Sequence, residues 1–227
     1  MLDTVEEVVI HEKQFSSDVS HELRTPITVI LAQSDYALQY SDTFEEAKES
    51  LEVINRHAKR MTNLINQIME LSKLERQKEI EKEKINLSNI VLQLLEDYKP
   101  LLESKNLNLI YNVEKDIRIQ GNKIMLERVF LNILMNAVKF TKTNIEVSLT
   151  REDKTAVLKI RDDGIGISQE NKKFIWERFF QVNDSRNKEE NKGSGLGLSM
   201  VKKIVDLHSA TIDLESELEQ GTCFTIK

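Results

Sequence analysis

Two short glycine-rich segments could lie against the phosphates or base of a nucleotide. Asp162 is followed by Gly164 and Gly166 at the end of an apolar run, and the segment 193–197 (GSGLG) precedes a helical pattern. Glycines before a helix let backbone N–H groups approach an anion at the positive end of the helix. Each segment alone is a weak signal, because glycine-rich turns occur in many loops and the second segment lacks the lysine and spacing of a P-loop.

A helical pattern between residues 123 and 140 strengthens this interpretation. Asn132 and Asn136 are four residues apart and therefore share one helix face, and Lys139 follows a turn later. Amide oxygens suit Mg²⁺, which keeps water and substrate phosphates as its other ligands, and lysine supplies a point charge for phosphate. Two asparagines on a helix can also be ordinary surface residues, but three motifs in this order favour a nucleotide site.

In the first half of the chain, His21 is the histidine whose neighbours could support chemistry. It lies opposite the apolar stripe of a predicted amphipathic helix, Glu22 adjoins it, and Thr25 shares its polar face. Pro26 has no N–H for the carbonyl of Glu22, so the helix should bend beside His21. A lone surface histidine is usually only a surface residue. The other histidines lack these neighbours and are assigned no role: His11, His57 and His208.

Two long helices are predicted to position His21. The apolar stripe of the first is Phe15, Val19, Leu23, Ile27 and Ile30. After a loop at 41–44, the second has a heptad-like seam of Leu51, Ile54, Ala58, Met61, Ile65 and Ile68. One hairpin of two such helices cannot cover both stripes, whereas two hairpins paired into a four-helix bundle can. The sequence therefore predicts a homodimer through residues 1–82.

The nucleotide motifs lie in a second region, residues 83–227, after the charge-rich stretch 79–84. Asn86 or Ser88 is predicted to cap a helix that runs to Ser104, with Pro100 interrupting its last turn. Further helices are predicted at 123–140 and 196–208, and strands at 107–112, 117–120, 145–150, 156–161, 211–215 and 222–226. The predicted fold class is a helical hairpin followed by an α/β sandwich, a mixed sheet with helices on one face.

Composition argues against several kinds of function. The chain has 227 residues, 32 Lys and Arg against 38 Asp and Glu, a net charge of −6 and one cysteine, Cys223. It has no basic stripe for nucleic acid, and no apolar run approaches the roughly 20 residues that cross a bilayer. We therefore expect no nucleic-acid partner, no membrane contact by this segment and a cytoplasmic location.

Five segments, in order and at family-like spacing, resemble the catalytic core of the sensor histidine kinases of two-component systems. They are residues 15–26 (FSSDVSHELRTP, the H box), 131–141 (LNILMNAVKFT, the N box), 162–167 (DDGIGI, the G1 box), 174–180 (FIWERFF, the F box) and 193–198 (GSGLGL, the G2 box). Trp176 stands where Phe is commoner, and Asp163 where Asn or Thr is usual. Neither departure is expected to touch a residue on which the chemistry depends.

This resemblance implies a dimerisation and histidine phosphotransfer hairpin at 1–82 and a catalytic ATP-binding domain of the gyrase, chaperone and kinase type at 83–227. His21 would attack the γ-phosphate of ATP, and Glu22 would orient its imidazole and receive or polarise its other proton. Asn132 and Asn136 would hold Mg²⁺, with Asn136 the stronger candidate, and Lys139 would contact phosphate.

The remaining roles also follow from the resemblance. Asp162 would accept a hydrogen bond from the adenine amino group, with Gly164 and Gly166 letting the backbone lie against the base. A polar lid at 181–192 would be mobile until nucleotide orders it. Further residues expected to bind the nucleotide are Phe140, Arg178, Arg186, Gly193, Gly195, Leu196 and Gly197, with Lys188 and Lys192 as weaker candidates for neutralising phosphate.

The resemblance further implies a hinge at 79–88, transfer of the phosphoryl group to an aspartate of a response-regulator receiver domain, and a membrane anchor upstream of residue 1 in the parent protein. The pattern His-Glu-x-x-Thr, residues 21–25 here, is associated with dephosphorylating the regulator, the Thr25 hydroxyl positioning water.

Three alternatives stay open. A hydrolytic ATPase of the same fold, as in gyrase or mismatch-repair proteins, would resemble Glu-x-x-x-Asn on the equivalent helix, where this chain has Asn132, and this difference favours transfer over hydrolysis. A non-catalytic dimeric scaffold would be expected to have degenerate boxes, whereas all five are intact. A phosphatase-dominant protein would differ from the kinase only in activity assays.

Overall fold

The computed structural model describes residues 2–182 and 193–227, with side chains described from residue 15 onward. The chain forms two compact units, the first ending at Ser72 and the second beginning at Lys73. The boundary expected from the charge-rich stretch lies later, between residues 82 and 83. The last turn of the second helix therefore belongs with the second unit, in which Leu74 is only 4% exposed.

The first unit is a helical hairpin, as predicted. Helix α1 spans Leu2–Gln39 and helix α2 spans Phe44–Arg76. Thr43 Oγ1 accepts the N–H of Glu46 at 3.2 Å, and Glu46 Oε2 accepts the N–H of Asp42 at 2.9 Å. This reciprocal pairing is a variant of the capping box, so the turn between the helices is specified by local side chains.

The buried side of α1 differs by one position from the predicted stripe. Ile27 is 41% exposed, whereas Pro26 is buried and the helix continues through it to Gln39. Ile27 therefore lies on the surface of the single hairpin, and the proline ring offers buried apolar surface one residue earlier, in the spacing of its neighbours. The buried and half-buried side chains follow a 4-3-4 spacing: Val19, Leu23, Pro26 and Ile30.

The predicted seam of α2 divides into two rows. Ile54, Met61 and Ile68 are half-buried, in line with Ser50, His57, Leu64 and Leu71. Leu51 is 60% exposed and Ile65 is 42% exposed, so these members of the seam lie on the surface of the single hairpin. The exposed apolar row repeats every seven residues and consists of Phe44, Leu51, Ala58 and Ile65. Apolar residues in this arrangement are typical of a helix that packs against further helices.

After the last turn of α2, the second unit continues with a strand that the sequence pattern did not reveal. Strand β1, Glu83–Asn86, pairs antiparallel with β3, Arg118–Gly121. Helix α3, Leu87–Ser104, follows directly, and Asn86 caps it by accepting the N–H of Asn89. The predicted interruption at Pro100 does not occur. The proline removes one backbone hydrogen bond, but Leu102, 1% exposed, anchors the last turn in the core.

A mixed sheet forms the body of the unit, as predicted. Its strands are β2 Asn108–Val113, β4 Asn144–Glu152, β5 Thr155–Asp162, β6 Ile212–Glu217 and β7 Gly221–Ile226. Their order is β2-β4-β5-β7-β6. Among these described strands, β2 and β4 pair parallel and the other neighbours pair antiparallel.

Helices α4, Lys123–Phe140, and α5, Gly197–Leu207, cover the apolar face of this sheet together with α3. Ile145, Val147 and Leu149 of β4 are at most 1% exposed on that face. Their alternation with less buried neighbours is the pattern of a strand with one face in the core. In the described part of the chain, none of the helices has the length and apolarity needed to cross a membrane.

Candidate nucleotide and phosphoacceptor site

Helix α4 presents its polar face as predicted. Its opposite face is buried in the core through Val129, Phe130, Ile133, Leu134, Ala137 and Val138. Asn132 and Asn136 are half-buried, and Lys139 is exposed one turn later. The helix starts at Asn122, whose Oδ1 accepts the N–H of Met125 at 3.1 Å. The cap and the buried face together hold the three polar side chains in one row.

The two asparagines have different surroundings. The amide nitrogen of Asn132 donates to the carbonyl of Arg128 at 2.9 Å, and its Oδ1 lies 2.7 Å from the position that a Cβ on Gly197 would take. Asn132 therefore faces the start of α5. Asn136 lies one turn closer to Lys139, on the same face of α4.

The glycines of the G2 box lie against three different neighbours. A Cβ on Gly193 would stand 3.5 Å from Lys139 Nζ, and a Cβ on Gly197 would collide with Asn132. Gly195, at φ 72°, packs against the backbone of Phe179, and its carbonyl accepts the Phe179 N–H at 3.0 Å. The N, F and G2 boxes, far apart in sequence, thus meet at one place.

The start of α5 has the properties of an anion site but with a restricted role for Leu196. Leu196 is the N-cap, its own side chain makes no capping hydrogen bond, and its N–H donates to Ser194 Oγ at 3.2 Å. The first backbone N–H groups of a helix point outward along its axis and carry partial positive charge. Because Leu196 is 0% exposed, it belongs to the core, and the N–H groups that follow it in the first turn are the candidates for contact with an anion.

Asp162 ends β5 in a buried position. It is 7% exposed, and its Oδ1 accepts the N–H of Gly164 at 2.9 Å. Burial raises the pKa of Asp162 to about 6, while backbone hydrogen bonds from Gly164 and Thr222 oppose the rise. A buried carboxylate oxygen has more than one lone pair and can accept a further N–H group from a ligand.

The glycines of the G1 box are required by the protein itself. A Cβ on Gly164 would collide with the carbonyl oxygen of Phe140, and a Cβ on Gly166, at φ 69°, with the carbonyl of Glu217. The Cβ positions of these two glycines are therefore occupied by neighbouring backbone, and the expected approach of their backbone to the base stays a prediction. Phe140 is half-buried, and Lys139 Nζ lies 4.6 Å from its ring centroid.

Asp163 has a larger role than the sequence indicated. Its Oδ1 accepts from Thr141 Oγ1 at 2.6 Å and from the N–H groups of Lys142 and Thr143 at 3.0 and 2.9 Å. Its Oδ2 accepts from the backbone and side chain of Asn144 at 2.9 and 2.7 Å. Asp163 thereby fixes the turn that immediately follows Lys139 and Phe140, and the expectation that it touches no residue on which the chemistry depends stays a prediction.

These hydrogen bonds also determine the charge of Asp163. Its partial burial alone would raise its pKa, but the hydrogen bonds from Thr141, Thr143 and Asn144 outweigh this and hold the pKa well below its ordinary value. The signal in the sequence was the pair of adjacent acids at the end of an apolar strand. Alternation along a strand places only one of two neighbours in the site, which leaves the other to bind the adjoining turn.

The F box packs into the second unit through its aromatic rings. Phe174 and Phe180 stack at a centroid distance of 5.7 Å, and Trp176 meets Phe224 of β7 edge-on at 6.0 Å. Arg178 forms an ion pair with Glu75, in the last turn of α2, within the same compact unit. Nothing in the sequence pattern paired these two residues, because they are far apart along the chain.

Arg186, Lys188 and Lys192 lie outside the described residues, as does the predicted lid from residue 183 onward. On α1, His21 and Thr25 are both exposed and Glu22 is half-buried. Residues four apart lie one turn apart on the same face of a helix. The imidazole predicted as phosphoacceptor and the threonine hydroxyl are therefore accessible together from solvent.

The side chains on α4 fit a magnesium nucleotide better than a metal held by protein alone. Within the described residues, no three His, Cys, Asp or Glu side chains form a cluster that could hold a metal ion. Asn132 and Asn136 offer neutral amide oxygens, which suit Mg²⁺ when phosphate and water supply the other ligands. A magnesium ion at this site would therefore depend on the triphosphate for most of its binding energy.

Two family models match the chain in sequence order. The family described as "His Kinase A (phospho-acceptor) domain" matches residues 11–77. The family described as "Histidine kinase-, DNA gyrase B-, and HSP90-like ATPase" matches residues 121–227. The first match contains His21, Glu22 and Thr25, and the second contains the asparagines of α4 and both glycine segments.

Similar proteins cover both units. A sensor-like histidine kinase of Porphyra purpurea, ycf26, described as uncharacterized, is 33% identical over 243 residues, which cover 98% of this chain and 37% of that protein. The histidine kinase ThkA, solved in complex with the response regulator protein TrrA, gives a TM-score of 0.79 at 22% identity over 97% of this chain and 62% of that one. Full-length ShkA in complex with AMPPNP gives 0.68 at 22% identity over 94% of this chain and 45% of that one. The chain spans a little over a third of the length of ycf26. With both family matches in order, it belongs to the histidine kinases, of which it carries the phospho-acceptor domain and the ATP-binding domain.

Proposed function

We propose that this chain transfers the γ-phosphoryl group of ATP to His21 and then passes it to an aspartate on the receiver domain of a response regulator. The observation that carries the proposal is the convergence of the N, G1, F and G2 boxes around one end of α4, together with an exposed His21 on the hairpin. The solved complex of ThkA with a response regulator, and that of ShkA with AMPPNP, support the two partners by similarity.

The first step is a displacement at phosphorus. The lone pair of a ring nitrogen of His21 forms the N–P bond while the bond from the γ-phosphorus to the bridging oxygen breaks, and ADP leaves. The proton on the other ring nitrogen must be polarised or removed as positive charge develops, and the Glu22 carboxylate is the adjoining acceptor. Because His21 is exposed, it needs no rearrangement of the helix to meet the nucleotide.

The nucleotide would be held by residues from three boxes. The Asp162 carboxylate accepts a hydrogen bond from the adenine amino group, and the N–H groups at the start of α5 bind phosphate. Asn136 and Asn132 bind Mg²⁺, which would neutralise charge on the phosphates, and Lys139 adds a positive charge beside Gly193. Since these groups lie on rigid helices and strand ends, the site is organised before the nucleotide binds.

Transfer is favoured over hydrolysis by the position of Asn132. A general base there would activate water, as the glutamate does in the gyrase-like ATPases. The Asn132 amide is neutral, and its nitrogen already donates to the Arg128 carbonyl. An amide in this arrangement cannot accept a proton from water at neutral pH, so attack on the γ-phosphate requires a nucleophile from outside the ATP-binding unit.

A homodimer would be formed by the hairpin. The row Phe44, Leu51, Ala58 and Ile65 repeats every seven residues and stays exposed in a single chain, with Phe44 at 77% and Leu51 at 60% exposure. Burying this row against its copy in a second hairpin would form the four-helix bundle expected of such repeats. The proposed dimer uses this exposed row and leaves His21 outside it.

Dephosphorylation of the regulator is a second proposed activity. Thr25 lies one turn from His21 on the exposed face of α1, where its hydroxyl can position a water molecule against a phosphoaspartate. Thr25→Ala should lower the phosphatase rate at least about tenfold and leave autophosphorylation unchanged, the range expected for loss of a positioned proton-transfer or hydrogen-bonding group. Ser20→Ala, one residue before His21, is the matched control. A Thr25→Ala variant with full phosphatase activity would contradict this assignment.

The kinase is tested with γ-labelled ATP and Mg²⁺. We expect label on the protein that is lost in acid and stable in alkali, as for phosphohistidine. His21→Gln should abolish the label, whereas His11→Gln on the same helix should retain it. Release of inorganic phosphate at a rate that His21→Gln does not change would instead indicate a hydrolytic ATPase, and ATP binding with neither product would indicate a scaffold.

A further inference from the structure

His208, at the end of α5, makes two hydrogen bonds that fix both its orientation and its protonation pattern. Its Nδ1 lies 2.8 Å from the carbonyl oxygen of Ile204, one turn back in the same helix. Its Nε2 lies 3.0 Å from the backbone N–H of Asn122. A carbonyl can only accept and an N–H can only donate, so Nδ1 carries the proton and Nε2 is the acceptor of a neutral imidazole.

The environment keeps the ring in this neutral form. Burial, and secondarily the charge of Lys82, lower the pKa of His208, although its hydrogen bond to Ile204 opposes them. The ring is half-buried, and a Cβ on Gly121 would approach it to 3.3 Å. Gly121 therefore allows the imidazole to lie directly against the end of β3.

Asn122 extends this contact to a third element. Its Oδ1 caps α4 through the N–H of Met125, and its Nδ2 donates to the carbonyl of Glu81 at 3.3 Å. Glu81 lies two residues before β1, which pairs with β3 up to Gly121. The C-terminus of α5, the N-terminus of α4 and the segment before β1 are thus joined through His208 and Asn122. We call this set of contacts the 208–122–81 junction.

The junction lies at the opposite end of α5 from the proposed phosphate site. Helix α5 has 11 residues and is therefore about 16 Å long. Its first residue, Gly197, packs against Asn132 of α4, and its last turn is held by Asn122 at the start of the same helix. Helix α5 is therefore in contact with α4 at both of its own ends. A shift of α5 at the phosphate end would be carried to the segment at Glu81 as long as the junction is intact.

We propose that His208 is a positioning residue for phosphoryl transfer, which holds the segment before β1 in fixed register with α4 and α5. A neutral acceptor at this position ties Glu81 and β1 to the helices that bind the nucleotide. The segment before β1 and these helices then move together. The inference rests on the proposed function, because delivery of the nucleotide to His21 requires such movement.

The test compares substitutions that keep or remove the acceptor. His208→Leu keeps the bulk of the ring without an acceptor, and His208→Gln places Oε1 near the position of Nε2. Hydrogen exchange of the whole chain should show faster exchange at 81–86 and 122–126 in His208→Leu, by about tenfold, the effect of losing one partly buried hydrogen bond. The autophosphorylation rate should fall several-fold, and the Kd for AMPPNP with Mg²⁺ should change by less than about twofold. His208→Gln should restore both exchange and rate.

Two further variants separate positioning from general loss of stability. Val157→Ala removes two methyl groups from a side chain that is 1% exposed in β5, away from the junction, and should lower the Tm without changing exchange at 81–86 selectively. Asn122→Asp keeps the cap on α4 and removes the donor to the Glu81 carbonyl. Like His208→Leu, it should therefore speed hydrogen exchange at 81–86, but it should leave exchange at 122–126 unchanged.

The outcomes distinguish the inference from the proposed function. Unchanged exchange in His208→Leu, or equal loss of rate, AMPPNP binding and Tm as in a simple core defect, would overturn the positioning role. Failure of His208→Gln to restore the exchange would show that the acceptor is not what matters. If the unsubstituted chain carries no label at His21, the proposed function fails, and the exchange experiment still decides whether the junction holds Glu81.

Discussion

Replacing Asp162 by asparagine should make the ATP-binding unit more stable while it removes nucleotide binding. The carboxyl group is 7% exposed, and its pKa is raised from 3.8 to about 6 in the folded chain. A group that is harder to ionise in the folded state than in the unfolded state opposes folding whenever the pH keeps it charged. Asp162→Asn removes that charge and keeps nearly the same shape.

The size of the effect follows from the pKa difference. About two pKa units, at 1.36 kcal/mol each, correspond to about 3 kcal/mol of destabilisation at neutral pH. The asparagine oxygen can still accept the N–H of Gly164. An amide has one oxygen where the carboxylate has two, so the hydrogen bond from Thr222 is lost, at a cost of about 1 kcal/mol. The net expectation is that Asp162→Asn raises the free energy of unfolding by about 2 kcal/mol at pH 7.5.

The pH dependence identifies the cause. As the pH rises from 3.8 towards 6, the unfolded chain loses the Asp162 proton and the folded chain keeps it, so the unsubstituted protein loses stability across this range. The advantage of Asp162→Asn should therefore be complete above pH 6, fall to well under half near pH 5 and disappear between about pH 5 and 4. Urea unfolding of both proteins at pH 7.5, 5 and 4 measures it.

Nucleotide binding should respond in the opposite direction. The amide would place a donor or a weaker acceptor opposite the adenine amino group, which should weaken AMPPNP binding by at least about tenfold in calorimetry, as expected for loss of a hydrogen bond to a charged group. The unsubstituted protein should also bind less tightly below about pH 6, as Asp162 becomes protonated. An Asp162→Asn variant that is less stable at pH 7.5, or whose extra stability is the same at pH 5, would refute this reasoning.

Four other consequences can be measured. Asp163→Ala should lower the free energy of unfolding by about 2 kcal/mol, because five donors lose their acceptor. The pKa of Asp163 is depressed in the folded chain, so this difference in stability should reach its full size above about pH 4 and shrink on acidification. Glu75→Gln and Arg178→Gln should each cost less than about 1 kcal/mol, with a coupling energy in the double variant that falls with added salt, because both side chains are about one-third exposed. Because the pKa of His208 is lowered in the folded chain, the unfolded chain takes up the proton first as the pH falls through 6.5, and the folded chain loses stability. The urea midpoint of the unsubstituted protein should therefore drop in this pH range, and that of His208→Gln should not. Leu51→Glu should convert the dimer to a monomer in analytical ultracentrifugation and leave AMPPNP affinity unchanged; a dimer of undiminished stability would exclude the exposed row of α2 as the interface.

Local patterns in the sequence predicted most of the helices and strands. Helix α4 begins and ends within the predicted range, because its apolar period and its cap at Asn122 are properties of adjacent residues. The alternation of β4 likewise marked which side chains reach the core. The polar row of α4 followed directly from the spacing of its asparagines, so the centre of the candidate site was available from the sequence.

The features that were missed depend on partners far along the chain. Strand β1 has too few alternating residues to be recognised alone, and it forms because β3 pairs with it. The hydrogen bond from Asn122 to His208 joins residues whose proximity is created only when α4 and α5 pack together. The long-range contacts of His208 and of Asp163 could not have been predicted without the packed structure.

The glycines of the site illustrate why its geometry and the fold cannot be separated. Gly164 lies under the Phe140 carbonyl, and Gly195 lies against the backbone of Phe179, so a side chain at either position would push two boxes apart before any nucleotide arrives. Gly193 differs, because a methyl group there would meet Lys139 Nζ at 3.5 Å, an ordinary contact with the end of a flexible side chain. The glycine pattern that suggested a nucleotide site is therefore, in large part, required by close packing of the backbone. That packing places Gly197 of α5 against Asn132 of α4, and Gly164, next to the Asp162 carboxylate, against the end of the same helix.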